Sequence, residues 1–250
     1  GYGEFETKVS ASSVTTQTQY ATGERFGKKL VVFDTPGLFH TELSKEEILK
    51  DICRALQSVP TIHAILLVVQ AERLTEEDEI TFECLMEAFG VNLKDFLIVV
   101  FTHKNRIEQQ NMSVDDFVET IEISSNLRKL INESERRYAA IGYGGRKEDR
   151  EMEIHQILSM VNEIRQKGNT YCSDDFSEGV QKIIEESRRS INKGNEGKNK
   201  DVKKSPINLL QGNFILNALL TVGSWIVIIC SMLTRGIRRL RSLIEYLFEF

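Results

Sequence analysis

The sequence predicts a doubly wound α/β fold with a mostly parallel sheet, from two patterns. Residues 30–34 (LVVFD), 62–70 (IHAILLVVQ) and 96–102 (FLIVVFT) are short, nearly continuous Val/Ile/Leu runs, as in strands buried on both faces. Stretches of helical periodicity fall between them and imply right-handed crossovers. A third observation locates a site: the strands lead into DTPG (34–37), FTHKNRI (101–107) and RYAAIGYG (137–144), and such sheets bind ligands beyond the strands' carboxyl ends.

The 250 residues, 41% hydrophobic and 28% charged, suffice for one large domain with or without a tail. A net charge of -5 argues against a general nucleic-acid binder. Cys53, Cys84, Cys172 and Cys230 form no close pair, so neither a zinc knuckle nor a disulfide framework is signalled, and a reducing compartment is expected. His63, His103 and His155 are too scattered for a metal site.

In chain order, VTTQTQYA (14–21) alternates like a half-exposed strand, and ATGERFGKK supplies the turn of a hairpin into the 30–34 run. Ser44 and Glu47 form a capping box ahead of a helix bearing Ile48, Ile52, Ala55 and Leu56. Thr75 with Asp78 opens another, whose Ile80, Cys84, Leu85 and Ala88 share one face. Ser113 begins a third, with Asp116 as a weaker partner for its cap. Ile154, Ile157, Leu158, Val161 and Ile164 form the apolar stripe of a fourth, and the charge run 147–153 reads as a solvated helix face.

This unit spans roughly residues 9–167, and Phe176, Val180, Ile183, Ile184 and Ile191 mark one more amphipathic helix over 173–191. KGNEGKNKDVKKSP reads as a solvated linker. Residues 214–233 carry no formal charge, and a helix of about 20 residues spans about 30 Å, so a transmembrane helix is expected; the alternative is a buried core helix. RGIRRLR follows as a headgroup-level basic cluster.

Asp34, at a strand end, can hold a hydrated Mg²⁺, and the Gly37 amide can approach a terminal phosphate because no Cβ blocks it; a bare DTPG can also be only a strand-ending turn. Upstream, SSVTT offers a metal-ligating hydroxyl, Thr15 first and Thr16 as the fallback. Lys104 can pack its stem over a purine ring, and RYAAIGYG can approach the base through its backbone.

Together FETKVSASSVTT, GKKLVVFDTPGLF, HAILLVVQAERLTEED and RYAAIGYG resemble the AIG1-type GTPases, the immunity-associated nucleotide-binding family, over residues 1 to about 191. The resemblance implies a Ras-like sheet of the P-loop NTPase type, GTP and Mg²⁺ as cofactors, slow hydrolysis, association of G domains through their nucleotide faces, and a carboxyl-terminal membrane segment. It implies nucleotide contacts at Thr15, Asp34, Gly37, His103, Lys104, Gly142 and Tyr143, with Thr15 and Asp34 as metal ligands. No catalytic residue is assigned, since Leu38 stands where many GTPases place a water-orienting Gln.

Two features depart from the family pattern. Arg106 offers only donors where the family places the acidic residue that reads guanine, which leaves Asn105 as a substitute acceptor. No G-x-x-x-x-G-K-[ST] occurs; GERFGKK (23–29) and GYGGRK (142–147) have the wrong spacing. In the family, the phosphate loop and the strand before it lie upstream, that strand sitting between the runs at 30–34 and 62–70. The chain is therefore expected to be an amino-terminally truncated piece that leaves both runs with an open edge.

The expected organisation is a partial G domain (1–168), a helical extension (169–192), a polar linker (193–212), a transmembrane helix (213–234) and a basic amphipathic tail (235–250), held at the cytosolic face of an intracellular membrane. The expected function is a membrane-anchored guanine-nucleotide switch. The alternative is a truncated pseudo-GTPase serving as a tail-anchored interaction module without nucleotide.

Overall fold

The computed structural model describes residues 18–35, 45–56, 59, 61–71, 76–90, 92–142, 146–168, 171–194 and 226–232. The chain enters through a hairpin, β1 (Gln19–Arg25) and β2 (Lys28–Thr35), paired in register from Gln19↔Asp34 to Arg25↔Lys28. The turn is Phe26–Gly27, both with positive φ (48° and 70°), the geometry of a two-residue hairpin loop. The strand thus runs through ATGER, which the sequence assigned to the turn; the pairing register decides this, and residues 14–17 lie outside the described residues.

Helix α1 (Lys45–Leu56) then leads to β3 (Thr61–Ile62) and β4 (Ala64–Gln70). The sequence read 62–70 as one strand. Instead Ile62 pairs with Tyr171 in a separate two-stranded sheet, and only residues 64–70 join the main one. Next come α2 (Glu76–Phe89), α3 (Leu93–Phe96), β5 (Leu97–Thr102), α4 (Lys104–Gln109) and α5 (Val114–Thr120). The chain continues through α6 (Asn126–Glu133), β6 (Tyr138–Ile141), α7 (Lys147–Gln166), β7 (Tyr171–Cys172) and α8 (Ser173–Gly194). On α2, Cys84, Leu85 and Ala88 are buried as expected, but Ile80 is 42% exposed. Ser113 makes a full capping box, its hydroxyl accepting from Asp116 N at 3.0 Å while the Asp116 carboxylate accepts from Ser113 N at 3.1 Å, so Asp116 serves as well as Glu.

The main sheet has six strands in the order β1-β2-β8-β4-β5-β6, all parallel except β1. Its core is the set of Val/Ile/Leu runs: Leu30, Val32, Leu66, Ile98 and Val100 are fully enclosed, and burying each such side chain stabilises by about 1.5–3 kcal/mol.

The central strand is the largest correction to the sequence reading. β8 (Ile226–Met232) comes from the segment expected to cross a membrane as a helix over 213–234. It pairs in parallel with β2 (Leu30↔Ile226 to Thr35↔Ser231) and with β4 (Ala64↔Ile228 to Val68↔Met232). β2 and β4 therefore have no open edge between them, contrary to expectation. A charge-free run rich in β-branched residues suits a strand enclosed on both edges as well as a bilayer span, and hydropathy does not separate the two. Among the described residues no helix is long and apolar enough to cross a membrane. The rest of the 213–234 reading, and the tail at 235–250, lie outside the described residues.

Helix α8 packs on the body of the fold. Phe176, Val180 and Ile184 are buried, and the Phe176 ring packs against Phe89 of α2 in a tilted arrangement with centroids 4.4 Å apart.

Candidate functional site

Because β2, β8, β4, β5 and β6 are parallel, their carboxyl ends open on one side of the sheet. Asp34 and Thr35 close β2 there, aligned with Cys230 and Ser231 of β8. Thr102 closes β5, aligned with Gln70 of β4 and Ile141 of β6. The next residues in chain, His103 with Lys104 and Gly142, stand beyond those ends, where the architecture places ligands.

His103 is the N-cap of α4 in a left-handed conformation (φ 64°), sparsely populated for a residue with a side chain. It is buried, with Nδ1 3.2 Å from the Thr102 hydroxyl. That turn swings the chain from strand into helix, so that Lys104 starts the helix.

Lys104 meets Glu153, in the second turn of α7. Its ammonium lies 2.9 Å from Glu153 Oε1 and 3.6 Å from the exposed Glu108. The other Glu153 oxygen, Oε2, accepts the Gly142 amide proton at 3.0 Å. Burial disfavours the charged ammonium, but the hydrogen bond and charge of Glu153, with Glu108 behind them, outweigh it and raise the Lys104 pKa. Glu153 corrects the reading of 147–153 as a solvated face: it is only 7% exposed. One signal for it was present in the sequence, an acidic residue immediately before the apolar Ile154.

Asn105 is half-buried, and its Oδ1 is enclosed with no hydrogen-bond partner among the described residues, whereas Arg106 is exposed. An acceptor is thus present beside Lys104 even though Arg106 supplies none. Thr15, Gly37 and Tyr143 lie outside the described residues, so of the seven expected contacts Asp34, His103, Lys104 and Gly142 are placed. The structure brings Lys104 and Gly142 together on Glu153, with His103 beside Lys104 in the chain and Asp34 on the far side of β8 and β4.

Asp34 is buried at its strand end. Among the described residues no group of three or more His, Cys, Asp or Glu side chains could hold a metal. Mg²⁺ does not need one, because it keeps waters and takes one or two carboxylates plus phosphate oxygens. One buried carboxylate at a strand end fits that demand. Burial disfavours the thiolate form that a nucleophile needs at Cys53, pushing its thiol up to about 11 against a smaller opposing effect of the Ser177 hydrogen bond.

A parallel sheet with a central strand flanked on both sides, and a Lys and a backbone amide converging at the ends of β5 and β6, defines a doubly wound α/β domain with a ligand crevice at its carboxyl edge. The chain belongs to the AIG1 family, whose model matches residues 1–194. It is 31% identical over 196 residues to immune-associated nucleotide-binding protein 7 of Arabidopsis thaliana, covering 77% of this chain and 62% of that protein. It is 30% identical over 190 residues to immune-associated nucleotide-binding protein 8 of the same plant, covering 74% of this chain and 53% of that protein. With GTPase IMAP family member 8 of Homo sapiens it shares 29% over 167 residues, 66% of this chain and 24% of that protein. The chain thus spans less than two thirds of each of these relatives.

Proposed function

We propose that the protein is a guanine-nucleotide-binding switch that takes GTP with Mg²⁺, hydrolyses it slowly, and associates through its nucleotide-binding faces. The observation that carries this reading is the convergence of Lys104 and Gly142 on one carboxylate at the ends of β5 and β6. There the Lys104 stem offers an apolar platform for a purine, and the Gly142 backbone can approach it without a Cβ. Asp34, at the end of β2, would hold Mg²⁺ on the phosphate side, where the ion would supply charge neutralisation. The family membership supports the choice of nucleotide, and two of the relatives are named as nucleotide-binding proteins and one as a GTPase.

Membrane anchoring forms no part of this proposal. While residues 226–232 pair with β2 and β4, they are not in a bilayer.

One observation favours the alternative, an interaction module without nucleotide: Arg106 is an exposed donor where a guanine reader needs an acceptor. Titration of fluorescent GDP into the full-length protein decides between them. Saturable binding in the micromolar range or tighter, competed by GTP and not by ATP, is expected. No saturable binding with Mg²⁺ present would overturn the switch reading in favour of the module.

A further inference from the structure

We propose that Glu153 is a positioning residue for the base end of the nucleotide site, fastening Lys104 at the start of α4 to Gly142 at the end of β6; this rests on the guanine-nucleotide reading above. The two oxygens of one carboxylate are divided between two segments distant in sequence. Oε1 takes the Lys104 ammonium at 2.9 Å, and Oε2 takes the Gly142 amide at 3.0 Å. The two clamped residues touch the same space, since a Cβ built on Gly142 would lie 3.8 Å from both Lys104 Cβ and Glu153 Oε1.

Stability alone does not account for this carboxylate. Its helix buries Ile154, Ile157, Leu158, Val161 and Ile164 on the sheet side, and a buried ion pair rarely stabilises more than an apolar residue of similar volume. What a doubly engaged carboxylate supplies is direction. It holds the ammonium back toward α7, so that the Lys104 stem is presented in one orientation, and it fixes the Gly142 amide plane at the point where the chain leaves β6. Without it, the ammonium and the amide would each seek separate partners, and the start of α4 and the end of β6 would no longer be tied through one side chain. Each oxygen of the carboxylate is engaged by one of these partners, so it supports the site and does not itself read the base.

The test compares Glu153→Ala and Glu153→Gln in the full-length protein, using fluorescent GDP, competition by inorganic pyrophosphate, which has no base, and hydrogen exchange at Gly142. Glu153→Ala is expected to weaken GDP about 10-fold, leave pyrophosphate competition unchanged and speed Gly142 exchange. Glu153→Gln keeps an acceptor for Gly142 but loses the charge, and is expected to fall between that variant and wild type; being nearly isosteric, it keeps the test open if the alanine variant does not fold. GDP affinity unchanged in both variants overturns the inference and leaves the nucleotide reading standing. Equal loss of GDP and pyrophosphate, with a lowered unfolding midpoint, shows a role in folding only and also overturns it. Failure of wild type to bind GDP removes the nucleotide reading first, and this inference with it.

Discussion

Gly179 of α8 lies directly against the carbonyl of Ala88 near the end of α2: a Cβ built on Gly179 would stand 2.1 Å from that oxygen and 2.9 Å from its carbon. A backbone carbonyl cannot step aside as a side-chain tip can. Gly179→Ala gains about 1 kcal/mol of helix propensity but incurs an overpacking cost of about 1–3 kcal/mol or more. The expected result is a lowered urea midpoint with an unchanged m-value. A stabilised variant would show that α8 does not seat on α2.

The same seam is closed by Tyr171, which is buried with its hydroxyl donating to the Phe89 carbonyl at 2.8 Å and its ring edge-on to Phe96. Tyr171→Phe keeps the ring and leaves the carbonyl without its donor, at a cost of about 1–3 kcal/mol. Tyr171→Ala adds a cavity and is expected to cost about 3–5 kcal/mol in all. Chemical denaturation of both variants measures the pair. Equal losses would mean that the ring contributes nothing.

Stability should fall below pH 6.5 because of His63, which sits between β3 and β4. Burial, and secondarily the charge of Arg165, lower its pKa to about 4. The unfolded chain takes up the proton near pH 6.5 while the folded chain refuses it until about 4, so the folded state is fully favoured above 6.5 and loses ground as pH falls between those values. After discounting for solvent screening, about 1 kcal/mol should be lost between pH 7 and pH 5. The check is unfolding free energy against pH for wild type and His63→Gln, and identical slopes would remove His63 as the cause.

Ile228 pairs with Val32 on one side and Ala64 on the other. A proline there deletes a ladder donor in the middle of a central strand, which sheets scarcely tolerate. Ile228→Pro is expected to uncover the facing edges of β2 and β4, giving aggregation by light scattering and faster amide exchange at Val31 and Leu67. A monodisperse variant with unchanged exchange at both would show that β8 is dispensable to the sheet.

The sheet strands at 30–34 and 96–102, the helices carrying Ile48 and Ile154, and the strand ends bearing Asp34, Lys104 and Gly142 were all legible in the sequence. Buried parallel strands and amphipathic helices write their burial into local periodicity. Helix α6 was not anticipated, although Ser125 caps it through the Arg128 amide at 3.1 Å. Its eight residues follow a turn and offer too few periods to stand out.

The amino-acid pattern by itself determined that this is an α/β domain and which strand ends carry its polar residues, because those properties depend on neighbours within one turn or one strand; the AIG1 likeness rested on the resemblance of whole segments such as HAILLVVQAERLTEED. Only the tertiary structure decided that Glu153 joins Lys104 to Gly142, and that Ile226–Met232 is the central strand of the sheet. Both depend on partners 11 to more than 100 residues away in sequence, and an apolar run or a lone carboxylate carries no local mark of which distant surface will receive it.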